Sequence, residues 1–214
     1  MNQLSLLQVL AVAAIPVLFA ITLHEVAHGW VARRFGDRTA EMLGRLTVNP
    51  LKHIDPIGTV VVPALALMTT GFLFGWAKPV PVSIRNLRNP RQHMMLVAAA
   101  GPGANILMAI FWALFTKLVF MIGFQGMTLQ FFVTMGQIGV LINVILAVFN
   151  MLPIPPLDGG RVLSGLLPPR ASNRLDAIEP YGIIIVLAFI FFGWRYFQPI
   201  IFTLRDFFFT LVGL

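Results

Sequence analysis

Along the chain, apolar residues gather into long uncharged runs separated by short polar connectors. No Asp, Glu, Lys or Arg occurs before Glu25, and none in Ile57–Ala77, Met94–Thr116, Leu118–Leu157 or Tyr181–Trp194. A helix needs roughly 20 apolar residues to cross the hydrocarbon of a bilayer, and several of these runs are long enough. The pattern predicts an all-α, polytopic membrane helix bundle of about 4–6 membrane segments, one domain over 1–214 without a repeat of fixed period. Core helices are expected over about residues 6–34, 92–122 and 131–167. The run 57–77 is interrupted by Pro63, Gly71 and Gly75, and is expected to be an insertion that dips into the membrane and returns. Residues 181–214, with Arg195 and Pro199 in their middle, read either as one long helix or as a helical hairpin. Gly36, Gly44 and Pro50 punctuate the first connector, where "RLTV" reads as a short strand, one of the short β elements expected in the connectors.

Composition names the solvent. Of the 214 residues, 58% are hydrophobic and 11% charged, against about 25% charged in a soluble domain; the medium is lipid. The net charge of +7 is a topology signal rather than a nucleic-acid footprint, because no basic run is interleaved with aromatic residues. Nearly all Lys and Arg fall in Arg33–Pro56, Lys78–His93 and Pro153–Pro180, and none in Gly123–Gln130. The positive-inside rule puts the first three connectors on the cytoplasmic face and the last outside. This holds only if 57–77 re-enters; a true crossing would put "PPLDGG" and the end of the first helix on opposite faces. Without cysteine there is no disulfide framework and no thiolate metal site. The leading "MNQLSLLQ" has no basic residue, so the first span is expected to be retained rather than cleaved.

Three titratable groups sit inside the first apolar run, in "ITLHEVAHGWVA". His24, Glu25 and His28 form H-E-x-x-H. Residues i and i+4 share a helix face, so both imidazoles can reach one cation, with Glu25 one step round as a general base. The plain alternative is a pair of helix-end histidines bonded to backbone beside a snorkelling Glu. Ionisable groups are costly within a membrane span, which favours the functional reading. A hydrolytic zinc site takes three protein ligands and keeps a fourth position for water. His53 and His93 lie in basic connectors and read as ordinary surface residues, which leaves Asp158, Asp176 and Glu179 as acidic candidates. Asp158 stands out in "NMLPIPPLDGG", after three prolines and before two glycines. It is either a ligand aimed inward by a broken helix or the N-cap of "GRVLSGLL".

H-E-x-x-H in an early span and N-x-x-P-x-P-P-L-D-G-G in a later one resemble the site-2 protease family of intramembrane zinc metalloproteases. "AAAGPGANILMA", residues 98–109, resembles that family's middle helix, and the likeness runs from about Leu6 to Leu167. The resemblance implies one Zn2+ per chain held by His24, His28 and Asp158, with Glu25 as catalytic base. It implies that Asn150, and more weakly Asn105, hold the substrate backbone or the oxyanion; interhelical hydrogen bonding is the alternative for both. It further implies transmembrane protein substrates; with the basic connectors inside, the site of this multi-pass membrane protein is expected towards the cytoplasmic side. The chain has no room for the PDZ or nucleotide-sensing domains that many relatives carry, so a minimal form is expected. "WAKPVPVSI" resembles the segment that lines substrate as a strand in relatives; a Pro-rich surface loop is the alternative. Rival readings are a membrane metal-ion transporter, a catalytically inactive relative that binds membrane proteins, and a metalloprotease class whose third ligand is a glutamate such as Glu179.

Overall fold

A computed structural model describes residues 5–61 and 78–214. The first helix, α1 (Leu6–Arg34), opens with a capping box: the Ser5 hydroxyl accepts from Gln8 N–H, and the Gln8 side chain accepts from Ser5 N–H. Two of the exposed N–H groups at the helix start are thereby matched. Arg33 and Arg34 stand in the last turn, where cations complement the unpaired carbonyls. A short α2 (Thr39–Met42) follows, then single turns at Pro50–Lys52 and Pro56–Val61. The longest helix, α3 (Pro90–Ile122), starts with proline, whose missing N–H costs nothing there. It stops at Gly123, which adopts the left-handed conformation at φ 78°. Next come α4 (Gly126–Asn150), α5 (Asp158–Leu166), α6 (Pro169–Asp176), α7 (Gly182–Ala188) and α8 (Trp194–Leu211).

Among the described residues, α1, α3 and α4 are long and apolar enough to cross a membrane. Their 29, 33 and 25 residues make lengths of roughly 44, 50 and 38 Å at 1.5 Å per residue, against about 30 Å of hydrocarbon. The bundle is helical, as expected, but the described residues supply three such spans rather than four to six. The expected re-entry of 57–77 lies, beyond Val61, outside the described residues. No strand forms among them either: Arg45–Val48 is irregular, and 78–83 runs extended without a ladder. Pro79 and Pro81 have no N–H to give a neighbouring strand, and the N–H groups of Lys78, Val80 and Ser83 go to the His53 carbonyl, Glu25 and Asp37. The stretch 131–167 is broken before Asp158, as the prolines predict, into two helices. The prolines at 153, 155 and 156 cannot continue α4, and α5 starts afresh at Asp158. The 181–214 region is one helical path rather than a hairpin, because α7, the wide turn Phe189–Gly193 and α8 join through right-handed helical backbone.

α3 is the centre of the bundle and packs against α4, α1 and α5. Its Met108, Ala109 and Trp112 meet Val12 of α1, Val140 and Val144 of α4, and Phe208 of α8 in the main core. Large apolar side chains elsewhere face outward, among them Leu7, Leu107, Phe111 and Phe192. Such a surface is the solvated face of a protein in lipid. A second, small core of Ala32, Leu87 and Val97 joins the end of α1 to the start of α3. The site is built just above it.

Candidate metal centre

His24 and His28 lie one turn apart on α1, so both rings project towards α3 and the start of α5. Behind each ring is an acceptor. His24 Nδ1 lies 2.6 Å from Asn105 Oδ1, and His28 Nδ1 lies 2.7 Å from the Val97 carbonyl. Those oxygens accept only, so each Nδ1 carries the proton and each Nε2 keeps a lone pair. The two Nε2 atoms face one another at 3.1 Å, and Asp158 Oδ2 lies 3.3 Å from both. No N–H or O–H reaches that buried oxygen. Three lone-pair atoms turned on a common point repel unless a cation sits among them.

The arrangement fits zinc. A triangle with edges of 3.1, 3.3 and 3.3 Å has its vertices about 1.9 Å from its centre, a spacing that would suit the ~2.0–2.2 Å bonds zinc makes to nitrogen and oxygen. Nitrogen and carboxylate ligands suit that ion, and three protein ligands are the number a hydrolytic zinc site takes. Each ligating histidine would donate its other N–H to an oxygen of the protein, as metal-bound histidines do. Of the described His, Asp and Glu residues, His24, His28 and Asp158 are the set that could hold a metal.

Two close approaches bring these groups together. A Cβ on Gly101 of α3 would strike His28 Nε2, and would lie 2.6 Å from His28 Cε1 and 2.7 Å from His24 Cε1. The rings fit only because Gly101 has no side chain. A Cβ on Gly159 would strike the carbonyl oxygens of Met151 and Leu152. The glycine therefore lets α5 start against the turn that ends α4, with Asp158 at its first position.

Glu25 stands one step round α1, and Val80 N–H donates to its Oε2 at 2.7 Å. Pro79 and Pro81 flank Val80, so this is the one N–H that residues 79–81 have to offer. The extended segment that delivers it is tied along its length. Lys78 N–H donates to the His53 carbonyl at 3.0 Å, Arg45 Nη2 donates to the Lys78 carbonyl at 2.8 Å, and Ser83 N–H donates to Asp37 Oδ2 at 2.7 Å. Asp37 is 1% exposed. Its burial works against the charge, yet the Thr39 hydroxyl, the Asn86 amide and the N–H groups of Ser83 and Thr39 hold its pKa below the usual value.

The other expected residues fall as follows. Asp176 and Glu179 are exposed and stand apart from the three converging groups. His93 stacks on Phe35, with Nδ1 accepting from Asn89 N–H, near the start of α3. His53 is not a surface residue: it is 2% exposed and donates from Nε2 to the Thr47 carbonyl at 2.9 Å. Asn105 is fully buried behind His24, and both its amide hydrogens and its oxygen have partners. Asn150, in the last turn of α4, donates to Leu146 of its own helix at 2.9 Å. Motif reading missed Gly101, the Val97 carbonyl, Val80 and Asn143. Gly101 had a signal, a glycine in an apolar helix, where small residues let neighbours approach; the backbone groups had none.

A membrane helix bundle holding H-E-x-x-H against a carboxylate from a later broken helix is the architecture of an intramembrane metalloprotease. The chain belongs to peptidase family M50, a zinc-dependent family, whose pattern matches residues 12–193. It is 38% identical over 179 residues to "Putative zinc metalloprotease YwhC" of Bacillus subtilis, covering 81% of this chain and 77% of that one. To "Putative zinc metalloprotease Rip2" of Mycolicibacterium smegmatis it is 30% identical over 182 residues, 79% of this chain and 62% of the relative. It thus spans less than two thirds of Rip2. Over 134 residues it is 36% identical to "Regulator of sigma-E protease RseP" of Salmonella typhimurium, 58% of this chain and 28% of the relative. No solved structure gives a significant match.

Proposed function

We propose that this integral membrane protein is a zinc metalloendopeptidase of the site-2 type, which hydrolyses peptide bonds in transmembrane protein substrates from a site towards the cytoplasmic side. The observation that carries this reading is the convergence of two imidazole lone pairs and one buried carboxylate oxygen beside Glu25. His24, His28 and Asp158 are the residues that would hold the ion. Zinc, when bound, supplies Lewis-acid polarisation of a carbonyl and lowers the pKa of water towards ~7.

Glu25 is the general base. Val80 N–H fixes Oε2 and leaves Oε1 to take a proton from the attacking water and return it to the leaving amine as the amide C–N bond breaks. Asn150 keeps one amide hydrogen beyond the one it gives Leu146 and steadies the oxygen on which charge develops. A helical substrate has its carbonyls already bonded, so it unwinds locally before attack. A metal-transit site would have no use for a carboxylate held beside the ligands by a backbone N–H.

Glu25→Gln keeps the size of the side chain and its bond to Val80 but cannot accept the proton. Purified Glu25→Gln is expected to retain about one zinc per chain by metal analysis. Its cleavage of a reporter membrane peptide should fall by a factor of about 10²–10⁴. Full cleavage by that variant would refute the base assignment.

A further inference from the structure

Behind His24 runs a file of buried amides that reaches across three helices. Asn143 of α4 donates from Nδ2 to the Gly139 carbonyl, one turn back in its own helix, at 2.8 Å. A carbonyl only accepts, so the orientation of this amide is fixed and Oδ1 faces α3. Asn105 Nδ2 donates to that oxygen at 2.8 Å and to the Ala20 carbonyl of α1 at 3.2 Å. With both hydrogens on acceptors, Asn105 must turn Oδ1 to His24 Nδ1, 2.6 Å away. Both asparagines are fully buried, so no solvent can satisfy the alternative arrangement.

We infer that Asn143 is a positioning residue: acting through Asn105, it sets the tautomer of His24, so that Nδ1 carries the proton and Nε2 presents its lone pair to the metal. The inference rests on the reading of His24 as a ligand. Its logic is a relay of orientation. Were the Asn143 amide reversed, its oxygen would face the Gly139 oxygen and its NH2 would face the NH2 of Asn105. Asn105 would have to flip, offering NH2 to His24 Nδ1 and driving the proton to Nε2, into the cation site. The Gly139 carbonyl of α4, through Asn143, and the Ala20 carbonyl of α1 thus act together on which nitrogen of His24 is free. The rival account is that the asparagines only bind helices together, as polar side chains do in membranes. That account predicts a loss of stability with no effect peculiar to His24.

Two measurements on the full chain in detergent separate them. In zinc-free wild-type protein with 15N-labelled histidine, at about pH 8 where an ordinary imidazole is neutral, His24 is expected as the Nδ1–H tautomer. Finding it as Nε2–H overturns the inference, and this measurement needs no variant to fold. The second is zinc affinity by chelator competition, with helix content followed by circular dichroism. Asn143→Leu is expected to bind zinc about ten- to a hundred-fold more weakly at unchanged helicity. Asn143→Leu added to Asn105→Leu should bind no more weakly than Asn105→Leu alone, because the relay is already cut. Unchanged affinity in Asn143→Leu, or losses that simply multiply, overturns the inference. A wild-type chain that takes up no zinc instead sinks the metalloprotease reading, and the tautomer of His24 then decides this one.

Discussion

His24 and His28 each have one nitrogen tied to an oxygen of the protein and the other aimed at Asp158. The protein's own hydrogen bonds thus orient both rings. Asp158→Asn keeps the shape but replaces the anionic ligand with a neutral amide. It is expected to lower zinc occupancy and cleavage together, unlike Glu25→Gln, which should separate them; metal analysis beside the reporter assay distinguishes the two patterns. Gly101→Ala is the more demanding test of geometry. Its methyl would lie among the ring atoms of His24 and His28, and overpacking of this kind costs about 1–3 kcal/mol. The strain falls on the ligands, so zinc affinity measured by chelator competition should drop by at least ten-fold. An alanine variant with native affinity would show that the rings do not sit against α3.

Among the elements, the extended segment 78–83 links the polar connector to the chemistry. Its backbone is held by His53, Arg45 and Asp37 and in turn holds Glu25. Asp37→Ala removes the shared acceptor of Ser83, Asn86 and Thr39. Buried donors left without a partner cost about 1–3 kcal/mol, so thermal unfolding should come at lower temperature and cleavage should fall with zinc still bound. The same carboxylate carries a pH dependence of definite sign. An unfolded Asp protonates near ~3.9, while the folded Asp37 gives way only at lower pH. Between those two values the unfolded chain binds more protons, so stability falls as pH falls. The stability gap between wild type and Asp37→Asn, from unfolding at a series of pH values, should be constant above about pH 5 and shrink below ~4. A gap that widens on acidification would contradict the depressed pKa.

At the scale of the whole molecule, the outward apolar side chains and the three long apolar helices place the protein in lipid, and the distribution of charge is the basis of the proposed orientation. The absence of cysteine gives a clean background for labelling. A single cysteine put in place of Gln125, between α3 and α4, should react with an impermeant thiol reagent from outside intact cells. One in place of Asn173, on α6, should react only after the cytoplasmic side is opened. The reverse pattern would put the basic connectors outside and overturn the proposed orientation.

Helical class, the broken helix before Asp158 and the pairing of the two motifs were all legible in the chain, because each depends on local composition or spacing. Uncharged length makes a span, proline ends a helix, and four-residue spacing puts His24 and His28 on one face. No strand forms at "RLTV" because its backbone groups have other partners: Arg45 N–H donates to the Ala40 carbonyl, and the Thr47 carbonyl accepts from His53. His53 looked like a surface histidine because its connector is basic, yet that connector folds over it. For Asn105 the sequence left two readings, a weak substrate contact or an interhelical hydrogen bond; the buried amide bonds His24, Ala20 and Asn143 on the neighbouring helices.

The sequence by itself determined the solvent, the helices and the kinds of atom available for a metal, since these follow from residue type and periodicity. Only the tertiary structure decided which nitrogen of each histidine is free, which glycine makes room for the rings, and which backbone N–H holds the base. Those features depend on groups 55–85 residues apart meeting at hydrogen-bond distance, and no local pattern encodes where such groups meet.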